Sequence, residues 1–195
     1  GGGFFFLLSR IATSHTTRRI RLLGPPRDRG GRSYEAVFRV DDLSGPRVIA
    51  AGGKGIALPR FQLIILNSGA IRGMASLSST LYNQQSSSGT ITVGTWCHFV
   101  MVVPDPIADV ELYLDGELLT TSTSAIGLNP DNGMSIGARD QGGLINPFDG
   151  PISLFNIWDA PLTASEVAAQ YQALKAGDRR SVDRSIGRSV SRFAS

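Results

Sequence analysis

From Asp109 to Leu119 the chain reads Asp-Val-Glu-Leu-Tyr-Leu-Asp-Gly-Glu-Leu-Leu. Val110, Leu112 and Leu114 alternate with Asp109, Glu111, Tyr113 and Asp115, the period-two pattern of a strand with one dry and one wet face. Asp115-Gly116 then supplies the backbone freedom for a tight reversal. The segment predicts a β-hairpin, and it sits at the middle of a stretch, Trp96 to Trp158, where the same signal recurs.

Composition agrees. Among 195 residues, 23 Gly and 10 Pro punctuate short runs of Val, Ile, Thr and Phe, which favours many short strands over long helices, and a hydrophobic fraction of 42% can fill the core of one domain. Cys97 is the lone cysteine, so an intrachain disulfide is excluded and the residue reads as a small buried hydrophobe. No apolar run approaches the roughly 20 residues of a membrane span; the most apolar, Phe4 to Leu8, stops at Ser9-Arg10. Gly1-Gly2-Gly3-Phe4 lacks the basic lead of a secretion signal.

Charge is segregated. Residues 1–33 hold seven Arg against one Asp (+6), residues 178–195 five Arg against two Asp (+3), and residues 34–177 seven basic against thirteen acidic side chains (−6). An acidic body with two Arg-rich ends predicts that the ends meet something negative. Three units follow: a basic N-terminal arm over 1–33 with room for an edge strand, a folded domain over 34–177, and an Arg/Ser-rich C-terminal arm over 178–195. No aromatics interleave with Arg18, Arg19 and Arg21 as stacking platforms, which disfavours nucleic acid and favours an acidic protein surface. In the tail, Arg180, Arg184, Arg188 and Arg192 recur every fourth residue opposite Val182, Ile186, Val190 and Phe193, an arm that could fold on a partner.

Within the body, Tyr34–Val40 alternates cleanly, and strands are expected at 47–51, 61–67, 71–77, 80–83 and 89–93, with Gln84–Ser88 a polar loop. Residues 94–103 are apolar on both parities, as in a central strand covered on both faces; His98 within it reads as a packed, hydrogen-bonded side chain, with no Cys or second His close by in sequence. Strands return at 134–138 and 152–158, with 139–143 a loop between them. The period then changes: Thr163 caps a helix with Glu166 three residues on, Leu162 staples to Val167, and Val167, Tyr171 and Leu174 share a face that Gly177 can end.

Three segments in this order, Gly94-Thr95-Trp96-Cys97-His98-Phe99-Val100, Val110–Gly116, and Phe148–Trp158 followed by Leu162–Val167, resemble the laminin G-like and pentraxin-like modules of the concanavalin A-like jelly roll. The resemblance runs from about Tyr34 to Leu174 and leaves out both basic ends. It implies an all-β fold, a jelly-roll sandwich of two antiparallel sheets with one short C-terminal helix, and adjacent first and last strands, so that both arms leave from one side. Relatives bind glycans, often with Ca²⁺, or proteins, and some relatives of the wider fold hydrolyse polysaccharides. Hydrolysis needs two carboxylates held across a cleft. Glu111, Asp115 and Glu117 depart from the Glu-x-Asp-x-x-Glu strand of the hydrolases of this fold, so a non-enzyme is expected.

No cofactor is required. Calcium, if bound, would take oxygen donors such as Asp131, Asn132, Asp140 and Asn146, residues that also serve as ordinary turn formers. Tyr82 and Tyr113 are candidates for sugar contact. The leading expectation is a recognition and display module at an extracellular or virion surface, fastened to other protein chains through Arg18, Arg19, Arg21, Arg180, Arg184, Arg188, Arg192 and Phe193. A free carbohydrate-binding lectin is the alternative, and a glycoside hydrolase ranks third.

Overall fold

A computed structural model describes residues 20–23, 31–52, 61–77, 80–104, 110–122, 125–127, 134–140, 143–158 and 160–176. In chain order the strands are β1 (Ile20–Leu23), β2 (Gly31–Arg39), β3 (Arg47–Gly52), β4 (Phe61–Ile65), β5 (Ile71–Leu77), β6 (Thr80–Gln85), β7 (Trp96–Pro104), β8 (Val110–Leu114), β9 (Glu117–Ser122), β10 (Ala125–Gly127), β11 (Met134–Ile136), β12 (Arg139–Asp140), β13 (Leu144–Ile145) and β14 (Ile152–Trp158). Helix α1 (Ala164–Lys175) follows. One six-stranded sheet runs β1-β14-β2-β7-β8-β9 and the other β10-β6-β5-β4-β3-β11, with β12-β13 a small hairpin beside them. Pairing is antiparallel throughout the two sheets except at β1, which lies parallel to β14. The first two strands thus flank the last one.

The inward faces meet in one apolar cluster. Phe38, Phe99, Met101, Leu112, Leu63, Ile65 and Ile71 are fully buried there, each burial contributing about 1.5–3 kcal/mol. Phe61 stacks between Tyr34 (4.4 Å between ring centroids) and Phe155 (6.2 Å). At the centre the sheets come so close that a Cβ on Gly73 would lie 2.6 Å from the Met101 sulfur.

The double parity of β7 has two different covers. Cys97, Phe99, Met101 and Val103 point into the sandwich, whereas Val100 and Val102 join Tyr113, Leu162 and Val167 in a second cluster on the outer face, beneath α1. The helix begins where the sequence indicates. Thr163 accepts from the Glu166 N–H, and the Glu166 carboxylate reaches back to the Thr163 N–H. Leu162 and Val167, the staple pair, are both buried. The helix ends at Lys175 with Ala176 as its cap; Gly177 lies outside the described residues.

The β8–β9 reversal is a two-residue turn with φ +52° at Asp115 and +85° at Gly116, the left-handed pair a type I′ hairpin needs. Three local expectations differ. Residues 89–93 form turns rather than a strand: the Gly89 N–H donates to Ser68 O and the Ile91 N–H to Gly69 O, which tucks Ile91 into the core. Gln84 and Gln85 extend β6, and the loop proper begins at Ser86, clamped to Ile71 through both its N–H and its hydroxyl. Arg139–Asp140 pairs antiparallel with Leu144–Ile145 where a loop was expected at 139–143.

Candidate functional site

The outer face of the β14-β2-β7-β8 region carries two polar features, one sealed and one open. Beneath α1, Glu35 of β2 is fully buried. Its Oε1 lies 2.9 Å from His98 Nε2, and its Oε2 accepts from Asn156 Nδ2 (2.8 Å) and Trp158 Nε1 (3.1 Å). The His98 ring runs parallel to Tyr171 of α1 at 6.1 Å, and its Nδ1 is buried without a hydrogen-bond partner. A buried imidazole nitrogen left so is tolerated as a bare lone pair more readily than as an N–H, which favours the tautomer donating from Nε2 to Glu35. Ser33 extends the seam, donating to Ala160 O and accepting from the Leu162 N–H. This network ties three strands to the lead-in of the helix. His98 is the packed, hydrogen-bonded histidine that its surroundings in sequence indicated.

Further along the same face, past the end of the helix cover, the surface opens. Trp96, at the start of β7, pairs in register with Arg39 of β2 and is 46% exposed. The Arg39 guanidinium sits over the indole, 5.8 Å from the ring centroid. Arg39 is itself gripped two-pronged by Asp41, Nε to Oδ1 at 2.7 Å and Nη2 to Oδ2 at 3.1 Å. That hydrogen bond, with the guanidinium charge, holds the Asp41 carboxyl below the usual range and raises Arg39 further. Val93 stands exposed in the adjoining turn.

The backbone beneath is well fixed. Arg39 N–H donates to Pro151 O, Asp41 N–H to Asp149 O, and Gly94 N–H to Val40 O. Gly150 lets the strap at 147–151 approach: its φ is +128°, and a Cβ there would collide with the Arg39 carbonyl. With the Arg39 guanidinium over one face of the indole, the exposed remainder of the ring can meet the C–H groups of a sugar while the Arg39–Asp41 pair meets its hydroxyls.

The residues singled out from sequence fall elsewhere. Tyr113 does point away from the hairpin's apolar side chains, but α1 covers it: it is 3% exposed and donates to Glu111 Oε2 at 2.6 Å. Burial, with Glu111 adding to it, pushes its phenol well up. Its ring therefore offers no open platform, a correction to its place as a sugar contact. Tyr82 lies on β6 in the register row of Ala75 and Phe61. Asp131 and Asn132 lie outside the described residues, and Asp140 pairs with Leu144 in the small hairpin. The Asn146 carbonyl accepts from the Val48 N–H. Among the described residues no group of three His, Cys, Asp or Glu could hold a metal ion.

Of the three carboxylates weighed for hydrolysis, Glu111 accepts from Tyr113, Asp115 accepts from the His98 N–H in the hairpin turn, and Glu117 is exposed on β9. Arg21 belongs to β1; Arg18, Arg19, Arg180, Arg184, Arg188, Arg192 and Phe193 lie outside the described residues. No helix of the described residues is long and apolar enough to cross a membrane.

Sequence reasoning missed both Glu35, which alternation assigns to a wet face, and Trp96, which stands in an apolar run and reads as core. The Arg39-x-Asp41 spacing at the end of a strand was the available signal.

Two six-stranded sheets packed face to face, with a helix over one flank and an open aromatic surface beside it, define a lectin-like β-sandwich. The chain belongs to the laminin G-like family of the concanavalin A-like lectin/glucanases superfamily, whose model matches residues 16–168. That match takes in part of the basic N-terminal segment, including β1, which the resemblance in sequence had left out.

Solved structures share the fold at low identity. The carbohydrate-binding module CBM40 of the Ruminococcus gnavus IT-sialidase, bound to α2,3-sialyllactose, is 15% identical over 73% of this chain and 83% of its own, with a TM-score of 0.63. A Bacteroides ovatus protein described as carbohydrate-binding is 22% identical over 71% of this chain and 40% of its own, TM-score 0.56. The heptameric SAP-like pentraxin of Limulus polyphemus is 16% identical over 75% and 78%, TM-score 0.51. No curated protein matches by sequence.

Proposed function

We propose that this protein is a non-catalytic carbohydrate-recognition module acting at an extracellular or other exposed surface, and that Trp96, Arg39 and Asp41 form its glycan contact. The observation that carries the reading is Trp96: a half-exposed indole on a rigid strand, flanked by a two-pronged polar pair. Tryptophan and arginine are among the side chains most enriched at interaction surfaces. Neighbours of the same fold that bind, or are described as binding, carbohydrate support the ligand class.

The test is a glycan array with the whole chain, followed by calorimetry on the best ligand. Trp96→Ala should weaken binding at least tenfold while leaving the melting temperature unchanged. Binding to no glycan, or full binding by Trp96→Ala, refutes the reading.

A second reading, attachment of the module to a larger assembly through its ends, is favoured by the charge segregation of +6, −6 and +3 along the chain. Deleting residues 178–195 should then lower affinity for an acidic protein surface without changing glycan affinity. Unchanged capture on an acidic protein column would count against it.

A further inference from the structure

Building on the carbohydrate reading, we infer that Asp41 makes the Trp96 surface select neutral hexopyranoses over sialylated or otherwise acidic glycans. An exposed arginine beside an aromatic would by itself suit a sugar carboxylate, because its fork matches two carboxylate oxygens. Here the Nε/Nη2 edge of that fork is already filled, and only the Nη1 end is left open. Asp41, two residues on and just past the end of β2, takes Nε and Nη2 together, and as a neighbour in the chain it competes at an effective concentration that a dissolved anion cannot match.

Among the described residues, the neighbours of this pair do not restore positive charge. The strap that supports Arg39 and Asp41 brings Asp149, and the adjacent Arg47 is ion-paired with Asp42. Counting side chains, Arg39 and Arg47 give +2 and Asp41, Asp42 and Asp149 give −3, a local sum of −1. An acidic sugar must displace Asp41 or bring a second carboxylate beside it, and either course forfeits the attraction that would select it. A neutral ring loses nothing: its hydroxyls can donate to the unused lone pairs of Asp41 and accept from Arg39 Nη1, which makes no hydrogen bond among the described residues.

The experiment measures affinity of the whole chain for matched pairs, a neutral oligosaccharide and the same oligosaccharide capped with sialic acid, with lactose and 3′-sialyllactose as one pair. The expected result is at least tenfold tighter binding of the neutral member. Asp41→Asn, which frees the guanidinium, should improve the sialylated member at least tenfold and close the gap; Asp41→Glu, which can keep the ion pair, should preserve the preference. Trp96→Ala should weaken both members. Equal or tighter binding of the sialylated member by the unmodified chain, lost in Trp96→Ala, overturns the selectivity while leaving carbohydrate recognition intact. A ratio unmoved by Asp41→Asn overturns the role of Asp41. Absence of binding to any glycan, or binding indifferent to Trp96, defeats the underlying function as well.

Discussion

Replacing Glu35 by Leu tests whether the sealed network holds the helix to the sheet. The substitution strips the acceptor from two buried donors, His98 Nε2 at 2.9 Å and Asn156 Nδ2 at 2.8 Å, and from the half-buried Trp158 Nε1 at 3.1 Å. Each donor left unpaired costs about 1–3 kcal/mol. Against this, removing a fully buried carboxylate relieves its own desolvation, and a leucine there contributes about 2 kcal/mol of apolar burial. The net expectation is a loss of about 3–5 kcal/mol, a large share of the roughly 5–15 kcal/mol that stabilises a domain. Glu35→Gln keeps one acceptor oxygen and should cost about 1–2 kcal/mol. Urea unfolding followed by tryptophan fluorescence measures both. Adding His98→Phe to Glu35→Leu should then cost at least about 1 kcal/mol less than it does alone, since its partner is already gone. A Glu35→Leu protein within about 1 kcal/mol of the parent, or strict additivity with His98→Phe, would refute the reasoning.

Three other perturbations follow from the geometry. The Cys97 thiol, pushed up to about 11 from an ordinary 9.0 chiefly by burial and secondarily by Asp115, should react slowly with iodoacetamide at pH 8 when folded and rapidly in urea. Because the folded thiol holds its proton longer than the unfolded one, its contribution to stability is full below about pH 9 and declines as pH rises toward 11; in Cys97→Ala the alkaline loss should shrink. Thr163→Ala removes the reciprocal cap of α1 and should cost about 1 kcal/mol by thermal unfolding. Gly150→Ala meets both the positive φ and the Arg39 carbonyl; it should cost about 1–3 kcal/mol or more, and weaken glycan affinity by shifting the strap behind Arg39.

Much of this fold can be read without coordinates because its signals are local. The Asp115-Gly116 turn needs two positive φ values and only a few residue pairs supply them; the Thr163-x-x-Glu166 cap is a chemical pattern within four residues. The segment 89–93 misled because its alternation is real but its partners are not a strand: Gly69 and Ser68 take its N–H groups from a turn some twenty residues away, and pattern alone does not reveal what lies opposite. The parallel placement of β1 against β14 depends likewise on residues more than a hundred positions apart.

The candidate site was harder to read for a related reason, and β7 shows why. Parity tells which residues share a face but not what covers it or how far the cover extends. His98, Val100 and Val102 lie on the same face as Trp96, yet α1 reaches only the first three. Four residues of one strand face therefore divide between a side sealed by α1, where His98 enters the polar network and Val100 and Val102 the apolar cluster, and an open aromatic surface where a twelve-residue helix stops. Glu35 and Arg39 of β2 split in the same way: one carboxylate is enclosed by three donors, and one guanidinium is left at the surface with its own counter-ion. A helix reaching further along the sheet would close over Trp96 and turn the surface into core. Where α1 ends is thus what leaves Trp96 uncovered among the described residues, and neither strand records that limit in its own sequence.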